Sequence, residues 1–226
     1  IRADAIEKST GLLSYGINVN FAPVADVSTD PADFIYARTY GLDAEQTAFF
    51  VGQTVEEMTR LKTGSVLKHF PGYGSNADTH TGIAVDERPY EQFQAEDFLP
   101  FRAGIQAGAG SVLVSHNIVN CMDPDLPASL SPEVHRILRE ELGFTGVVLT
   151  DDLAMGAVRE YAQEGSVAVM ALRAGNDMVV TPDFEKQIPL VLAALEDGTL
   201  DMEAIDAALR RVQGWKYDLG LLDAAP

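Results

Sequence analysis

Basic residues and cysteine are both scarce in this sequence. Its 226 residues include 16 Lys and Arg against 34 Asp and Glu, which gives a formal net charge of −18 at pH 7. Nucleic-acid binding depends on clustered basic residues, so this balance argues against a nucleic-acid partner. The single cysteine, Cys121, excludes an internal disulfide framework and a zinc site built from several thiolates.

Long apolar runs are also missing. No run approaches the ~20 residues that a helix needs to span a bilayer, so we expect no membrane span in this chain. The chain begins with Ile1 rather than methionine and has no basic-then-apolar leader, so we expect its natural start to lie upstream. Localisation stays open between the cytoplasm and a secreted or lipid-anchored form.

Segments typical of strands and helices alternate along the chain. Hydrophobic residues make up 46% of it and charged residues 22%, as in a globular protein with a real core. The predicted strands cover residues 17–24, 64–69, 111–116, 146–150 and 177–181. The predicted helices cover residues 2–15, 43–61, 96–107, 131–143, 152–174 and 201–218. Short β-branched strands that alternate with helices predict a parallel sheet covered on both faces.

Two α/β architectures fit this alternation. A doubly wound sheet often carries a glycine-rich phosphate turn after a strand, but Gly72-Tyr73-Gly74 lacks the third glycine of that turn. A barrel places functional side chains at the C-terminal ends of many strands. The predicted strand ends carry Asp26, His69, His116, Asp151 and Thr181. We therefore predict a barrel.

Five strands cannot close an eight-stranded barrel. We therefore interpret residues 1–226 as the C-terminal portion of a single barrel domain whose first three strands are missing from the chain. Both edges of the sheet would then be exposed unless another segment covers them. No repeat, low-complexity stretch or interior linker indicates a second domain.

Two adjacent aspartates, Asp151 and Asp152, directly follow the fourth predicted strand. Aspartate is favoured at helix N-termini, so a pair of this kind can be explained as a helix cap. A carboxylate at the C-terminal end of a barrel strand instead faces the pocket. Since neighbouring residues point to opposite sides, we expect one aspartate to line the pocket and the other to cap.

Lys68 and His69 end the second predicted strand. A structural explanation is that the Lys68 amine lies in water and that His69 is a core histidine with its hydrogen bonds satisfied. The functional interpretation is a pair of donors aimed at ligand hydroxyls. Arg38 lies in the long loop after the first strand, where a surface arginine alone would carry little weight.

Asp78 and His80 lie in a loop rich in Gly, Ser and Asn. An aspartate this close to a histidine can hold one tautomer and raise the pKa of the imidazole, which suits proton transfer near neutral pH. The alternative is an exposed loop histidine. A zinc site from His69, Asp78, His80 and His116 is a further alternative, but the HxH and HExxH spacings of such sites are absent.

Five short motifs follow one another over essentially the whole chain. They are Asn20-Phe21-Ala22-Pro23-Val24-Ala25-Asp26-Val27, Arg38, Lys68-His69-Phe70-Pro71-Gly72, Asp78-Thr79-His80 and Thr150-Asp151-Asp152-Leu153-Ala154-Met155. In this order they resemble the family 3 glycoside hydrolases, and within them the bacterial β-N-acetylglucosaminidases (β-hexosaminidases). The Asp-x-His loop marks this branch. One departure is Gly72-Tyr73-Gly74, where the family commonly has Gly-His-Gly, and that histidine is not the acid/base.

The resemblance implies a (β/α)8 TIM-type barrel, of which this chain supplies about the last five strands. It also implies a retaining, double-displacement mechanism that needs no cofactor and no metal. Asp151 matches the nucleophile, which forms a covalent glycosyl-enzyme. His80 matches the general acid/base, and Asp78 matches the residue that orients it.

The resemblance also implies a carbohydrate substrate, with terminal β-linked N-acetylglucosamine in peptidoglycan or chitin-type fragments. Arg38, Lys68 and His69 match positions that hydrogen-bond this sugar. Asp152 would then be the supporting neighbour or cap.

The family has a segment before residue 1 with the first three strands and a sugar-binding aspartate. We therefore expect the isolated chain to have little or no activity and the missing segment to restore it. Two alternatives stay open: a β-N-acetylglucosaminide phosphorylase that uses the same site, and an inactive truncated sugar-binding module.

Overall fold

Five parallel strands form the main sheet of the computed structural model, which describes residues 1–76, 82–159, 161 and 166–223. In chain order the strands are β1 (Val19–Asn20), β2 (Gly64–Phe70), β3 (Val85–Asp86), β4 (Ser111–Val114), β5 (Ile118–Val119), β6 (Asp123–Pro127), β7 (Val147–Asp152) and β8 (Met178–Val180). The main sheet has the order β1-β2-β4-β7-β8, and each neighbouring pair is parallel. The prediction of a parallel sheet from these five segments is confirmed.

Helices follow the strands of the main sheet. They are α1 (Arg2–Ser14), α2 (Ala44–Arg60), α3 (Tyr90–Gln92), α4 (Phe98–Gln106), α5 (Pro132–Arg136), α6 (Gly156–Arg159), α7 (Val167–Ala174), α8 (Phe184–Glu196) and α9 (Met202–Asp218). The Asp43 carboxylate caps α2 by accepting the Gln46 N–H at 2.8 Å. Gly175 ends α7 in the left-handed conformation, at φ +117°. These two helix boundaries match the predicted ones.

A second, smaller sheet was not predicted. It consists of β3, β5 and β6, with β3 parallel to β5 and β5 antiparallel to β6. β3 follows the loop after β2, and β5 follows β4 almost directly. The small sheet is therefore built from the segments that follow the C-terminal ends of β2 and β4.

The largest hydrophobic cluster fills the space between the main sheet and the helices α2, α4 and α5. Phe70 at the end of β2 stacks on Phe98 with ring centroids 5.8 Å apart. It also meets Phe101 edge to face at 5.1 Å. All three side chains are fully buried, which anchors the end of β2 firmly to α4.

The opposite face of the sheet carries one apolar residue from each strand. Val66, Leu113 and Leu149 are buried there, and Val19 and Val180 pack against them. Trp215 of α9 covers this layer near the start of β2, where a Cβ on Gly64 would lie 2.8 Å from the indole. A layer built in this way is the inner layer of a barrel, so the sheet is a half-barrel of the TIM type.

Both edges of the half-barrel are open in the described part of the chain, because no strand there pairs with the outer edge of β1 or β8. Apolar side chains lie exposed near them, including Phe21 beside β1, Met178 in β8 and Phe184 at the start of α8. Open edges of this kind agree with the predicted fold class. That three further strands precede residue 1 stays a prediction. No helix in the described ranges is long and apolar enough to cross a membrane.

Candidate functional site

The candidate site lies along the edge of the sheet where the five parallel strands end. The ends of β2 and β7 carry Lys68-His69 and Asp151-Asp152, while His116 lies just beyond β4. Because the strands are parallel, their C-terminal ends meet on one side of the half-barrel. The fold therefore brings these predicted site residues to the same end of the half-barrel, where the strands have their C-termini.

A chain of hydrogen bonds links Asp26, His69 and Arg38. The Asp26 carboxylate, which is fully buried, accepts from His69 Nδ1 at 2.8 Å and from the Tyr73 backbone N–H at 2.8 Å. Arg38 Nη2 lies 3.1 Å from His69 Nε2. Since a guanidinium can only donate, Nε2 accepts and Nδ1 carries the ring proton. Asp26 thus fixes the tautomer and orientation of His69, which in turn holds the exposed Arg38.

The charges of two carboxylates, Asp26 and Asp151, act on the Lys68 amine. Burial and the Arg38 charge lower the pKa of the Lys68 amine, whereas the Asp151 and Asp26 charges raise it. Its Nζ lies 6.0 Å from the centre of the Phe21 ring. Lys68 is half-buried, and within the described part of the chain its ammonium group makes no hydrogen bond or ion pair.

Asp151 and Asp152 differ in the contacts of their carboxylates. Asp151 Oδ1 accepts the backbone N–H of Asp152 at 2.9 Å. Asp152 Oδ1 accepts the backbone N–H of Ala154 at 2.9 Å and so caps the turn that follows β7. Within the described ranges the second carboxylate oxygen of Asp151 makes no hydrogen bond, and the residue is half-buried.

His116 is hydrogen-bonded to the last residue of β7. Its Nε2 donates to the Asp152 carbonyl at 3.0 Å, and its Nδ1 accepts from the Ser129 hydroxyl at 2.7 Å. Burial lowers the pKa of the His116 imidazole, although the Asp151 charge opposes this. A neutral, fully buried imidazole with both nitrogens engaged is a structural element rather than a metal ligand.

Asp78 and His80 lie outside the described residues, so the predicted proton donor and its partner are not placed here. These two residues are also two of the four candidate zinc ligands, so that site is not described completely. Among the described residues, no group of three or more His, Cys, Asp and Glu side chains could hold a metal ion.

A buried cluster around Arg88 was not found from the sequence. Arg88 Nη1 lies 2.8 Å from Asp97 Oδ2, and its Nη2 lies 2.8 Å from Asp86 Oδ2. Both carboxylates are almost completely buried. The residues are ordinary charged residues in sequence, and only their burial distinguishes them. The cluster is linked to Asp26 through the backbone of Gly72 and Tyr73, because Arg88 contacts the Gly72 carbonyl and the Tyr73 N–H donates to Asp26.

The cluster contains two buried carboxylates and one guanidinium, and the pKa of the Asp97 carboxyl is shifted in this environment. Burial raises the pKa of the Asp97 carboxyl to about 7, against the attraction of Arg88 and with help from the charges of Asp26 and Asp86. The ordinary pKa of this carboxyl is 3.8. Between about pH 4 and about pH 7 the folded protein therefore keeps a proton that the unfolded chain has released. The contribution of Asp97 to stability is highest below this window and decreases as pH rises through it.

The variant Asp97→Asn should reveal this titration, since asparagine resembles the neutral acid and does not ionise. We expect its free energy of unfolding, relative to wild type, to increase as pH rises from about 4 to about 7. Urea unfolding of both proteins at a series of pH values measures this difference. A relative stability that stays constant over the same range would show instead that Arg88 keeps Asp97 ionised throughout, because the folded and unfolded states would then bind the same number of protons.

The family model described as the glycosyl hydrolase family 3 N terminal domain matches residues 5–214. The chain belongs to this family. A β-hexosaminidase of Xanthomonas campestris pv. campestris strain B100 is 34% identical over 227 residues, which cover 100% of this chain and 67% of the relative. A β-hexosaminidase of Nitrosomonas eutropha is 32% identical over 198 residues, which cover 87% of this chain and 56% of the relative.

Solved structures of the family share the fold of this chain. The family 3 β-N-acetylglucosaminidase of Paenibacillus sp. str. FPU-7 superposes with a TM-score of 0.91 at 33% identity, over 98% of this chain and 44% of that one. Residues 1–226 span 56% of the length of the Nitrosomonas β-hexosaminidase and 67% of the length of the Xanthomonas one. The motif-based resemblance to family 3 is confirmed.

Proposed function

We propose that the full-length protein is a retaining exo-β-N-acetylglucosaminidase that removes terminal β-linked N-acetylglucosamine from peptidoglycan or chitin-type fragments. One observation carries the proposal: the donors Arg38 and Lys68, the histidine His69 that holds Arg38, and the carboxylate Asp151 lie on the same side of a family 3 half-barrel. The names of the relatives support the choice of sugar.

In the first step, we propose that an oxygen of the Asp151 carboxylate attacks the anomeric carbon of the bound sugar. The glycosidic bond breaks, and His80 gives its proton to the departing oxygen, so that the aglycone leaves as a neutral alcohol. The sugar stays on the enzyme as an ester of Asp151. The charges of Lys68 and Asp151 attract each other across the site.

In the second step, His80 accepts a proton from an incoming water, and the water oxygen attacks the anomeric carbon. The ester bond breaks and Asp151 recovers its carboxylate. Two displacements at the same carbon restore the β configuration. Most retaining glycosidases use two carboxylates, so a histidine in this role is unusual, and Asp78 is proposed to orient it.

The sugar-binding role is proposed for Lys68 and His69 at the end of β2 together with Arg38, which His69 holds. Arg38 and Lys68 are charged donors, and hydrogen bonds from charged groups to sugar hydroxyls are stronger than neutral ones. His69 holds Arg38 through its Nε2 and is itself held by Asp26. The pocket would thus reach the sugar with donors whose positions are set before binding.

The site is proposed to be complete only in the longer protein. The open edges beside β1 and β8 leave the inner layer of the half-barrel uncovered on two sides. A segment that pairs with both edges would close the barrel and provide the remaining walls of the pocket. The carbohydrate would be the only partner that the site requires.

Product analysis of the full-length protein tests this function. We expect purified enzyme to release N-acetylglucosamine from an aryl β-N-acetylglucosaminide, at a rate that added phosphate does not change. Formation of N-acetylglucosamine 1-phosphate in proportion to phosphate would show the phosphorylase instead. An inactive full-length protein that still binds N-acetylglucosamine would support the sugar-binding module.

A further inference from the structure

Asp26 is a fully buried residue whose carboxylate takes no part in the two proposed displacement steps. It lies beyond β1, where the Ala25 N–H donates to the Lys68 carbonyl at 2.6 Å and so holds this segment beside β2. The carboxylate accepts from His69 Nδ1 at 2.8 Å, from the His69 backbone N–H at 3.2 Å and from the Tyr73 backbone N–H at 2.8 Å. A buried charge needs donors of this kind, and here they fix its position.

Both nitrogens of the His69 imidazole are engaged in this network. Nδ1 donates to Asp26, and Nε2 accepts from Arg38 Nη2 at 3.1 Å. A neutral imidazole has one N–H and one acceptor nitrogen, so neither ring nitrogen is left for a sugar hydroxyl. The residue is also buried. In this arrangement His69 can act on a bound sugar only through Arg38.

The Arg38 side chain depends on this contact for its position. Arg38 is exposed and ends the 3-10 helical turn Tyr36–Arg38, in the long loop after β1. Among the described residues its guanidinium makes one hydrogen bond, which goes to His69 Nε2. An arginine that is already held loses less conformational freedom when it binds a ligand than one that moves freely. Arg38 is therefore prepared for a ligand only while Nε2 remains an acceptor.

We propose that Asp26 is a positioning residue for sugar binding: it keeps the ring proton of His69 on Nδ1, so that Nε2 holds the Arg38 guanidinium in place for the sugar. This inference rests on the proposed sugar-binding role of Arg38. It gives His69 an indirect part in sugar binding, in place of the direct hydrogen bond that the family resemblance implies. Asp26 acts from inside the fold, through the imidazole that lies between it and Arg38.

The variant Asp26→Asn should invert the tautomer with almost no change in shape. The asparagine oxygen can still accept the Tyr73 N–H, and its NH2 group then faces His69 Nδ1. Nδ1 becomes an acceptor, so the ring proton moves to Nε2, where it faces the N–H groups of Arg38. In the full-length protein we expect the Kd for N-acetylglucosamine, measured by titration calorimetry, to rise about ten- to a hundredfold, the range for a lost hydrogen bond to a charged group. The kcat for an aryl β-N-acetylglucosaminide should change by less than about fivefold, because a contact made equally in the ground and transition states affects binding alone.

A carboxylate that only stabilises the fold would be buried in the same way, so a double-mutant cycle must separate the two roles. Arg38→Ala alone should raise the Kd by a factor similar to that of Asp26→Asn. Adding Asp26→Asn to Arg38→Ala should then raise the Kd by less than about threefold more, because the group that Asp26 positions is already gone.

Asp177→Asn is the matched control. Asp177 is also a buried carboxylate that accepts a backbone N–H, from Val148 at 2.8 Å, and it pairs with Arg139 at 2.7 Å. It directly precedes β8 and so lies at the end of the sheet opposite the site. We expect Asp177→Asn to lower the free energy of unfolding in urea and to leave the Kd for N-acetylglucosamine unchanged.

Two substitutions of His69 give the answer if Asp26→Asn does not fold. The amide of glutamine reaches about as far as Nε2, so His69→Gln can still offer an acceptor to Arg38. The amide of asparagine reaches about as far as Nδ1, so His69→Asn can serve Asp26 but not Arg38. We therefore expect the Kd to rise more in His69→Asn than in His69→Gln. Nitrogen-15 NMR of histidine-labelled wild type should also show the His69 proton on Nδ1, with the signals assigned by their loss in His69→Gln.

An equal rise in Kd from Asp26→Asn in the wild-type and Arg38→Ala backgrounds would overturn the positioning role, and so would equal effects of His69→Asn and His69→Gln. A wild type that neither binds N-acetylglucosamine nor hydrolyses the aryl substrate would overturn the proposed function, and the inference with it. If the wild type is active and Arg38→Ala leaves the Kd unchanged, Arg38 does not bind the sugar and the inference fails while the activity stands. If Arg38→Ala raises the Kd and Asp26→Asn does not, only the role of Asp26 is wrong.

Discussion

Replacing Asp151 with alanine in the full-length protein is expected to lower kcat for an aryl β-N-acetylglucosaminide by at least about a thousand-fold. The reason is that no glycosyl ester can form without this carboxylate, and the adjacent Asp152 carboxylate already caps the turn after β7. Steady-state kinetics of purified wild type and variant measure the effect. Thermal unfolding of both proteins confirms that the variant is folded.

Asp152→Asn is the matched control, because an asparagine oxygen can still accept the Ala154 N–H. We expect it to cost less than about tenfold in kcat, since it removes a charge but no reacting atom. Added azide should rescue Asp151→Ala and give the α-configured glycosyl azide through a single displacement. An Asp151→Ala protein with activity within tenfold of wild type would exclude Asp151 as the nucleophile.

Residues 1–226 expressed alone are expected to show less than about one thousandth of the kcat/KM of the full-length protein. Two edges of the sheet are open in this part of the chain, and the apolar side chains beside them meet water. If the proposed segment completes the pocket, the isolated chain lacks the walls that would hold the sugar in line with Asp151. Parallel assays of both proteins at equal concentration test this expectation.

Adding the segment that is proposed to precede residue 1, as a separate co-expressed polypeptide, provides the control. On this proposal activity should return when the two polypeptides copurify, because pairing with β1 and β8 would close the barrel. Circular dichroism of the isolated chain shows whether loss of activity follows from loss of fold. Full activity of residues 1–226 alone would show that the half-barrel contains the whole site.

The strand pattern was predictable because buried parallel strands are continuous apolar runs. Gly64–Phe70, Ser111–Val114 and Val147–Asp152 all coincide with predicted strands, since each is apolar on both faces. The first strand was predicted over residues 17–24, and the structure has only Val19–Asn20. The parallel arrangement of the five strands followed from their alternation with helices.

Helix α8 and the small sheet were missed for reasons that lie in their composition. Pro189 lies inside α8 (Phe184–Glu196), and a proline is normally a sign that a helix has ended. Strand β6 contains Asp123, Pro124, Asp125 and Pro127, residues that rarely occur in strands. The helix predicted over residues 131–143 is α5 followed by a π-helical segment, Ile137–Glu141.

The site was predictable as a set of motifs but not as a network. Lys68, His69 and Asp151 stand out because they follow apolar strands directly. The bond from Asp26 to His69 joins residues 43 positions apart, and no local pattern indicates such a contact. The same is true of Arg88, whose importance depends on burial beside two carboxylates.

The central claim is that the sugar becomes covalently attached to Asp151 during the reaction. A 5-fluoro β-N-acetylglucosaminyl fluoride, which slows both displacements, should leave the full-length enzyme labelled with one sugar per chain. Digestion and mass spectrometry should then place the label on the peptide that contains Thr150-Asp151-Asp152, and fragmentation should assign it to Asp151. A label on any other residue, or inactivation without a covalent adduct, would contradict the account.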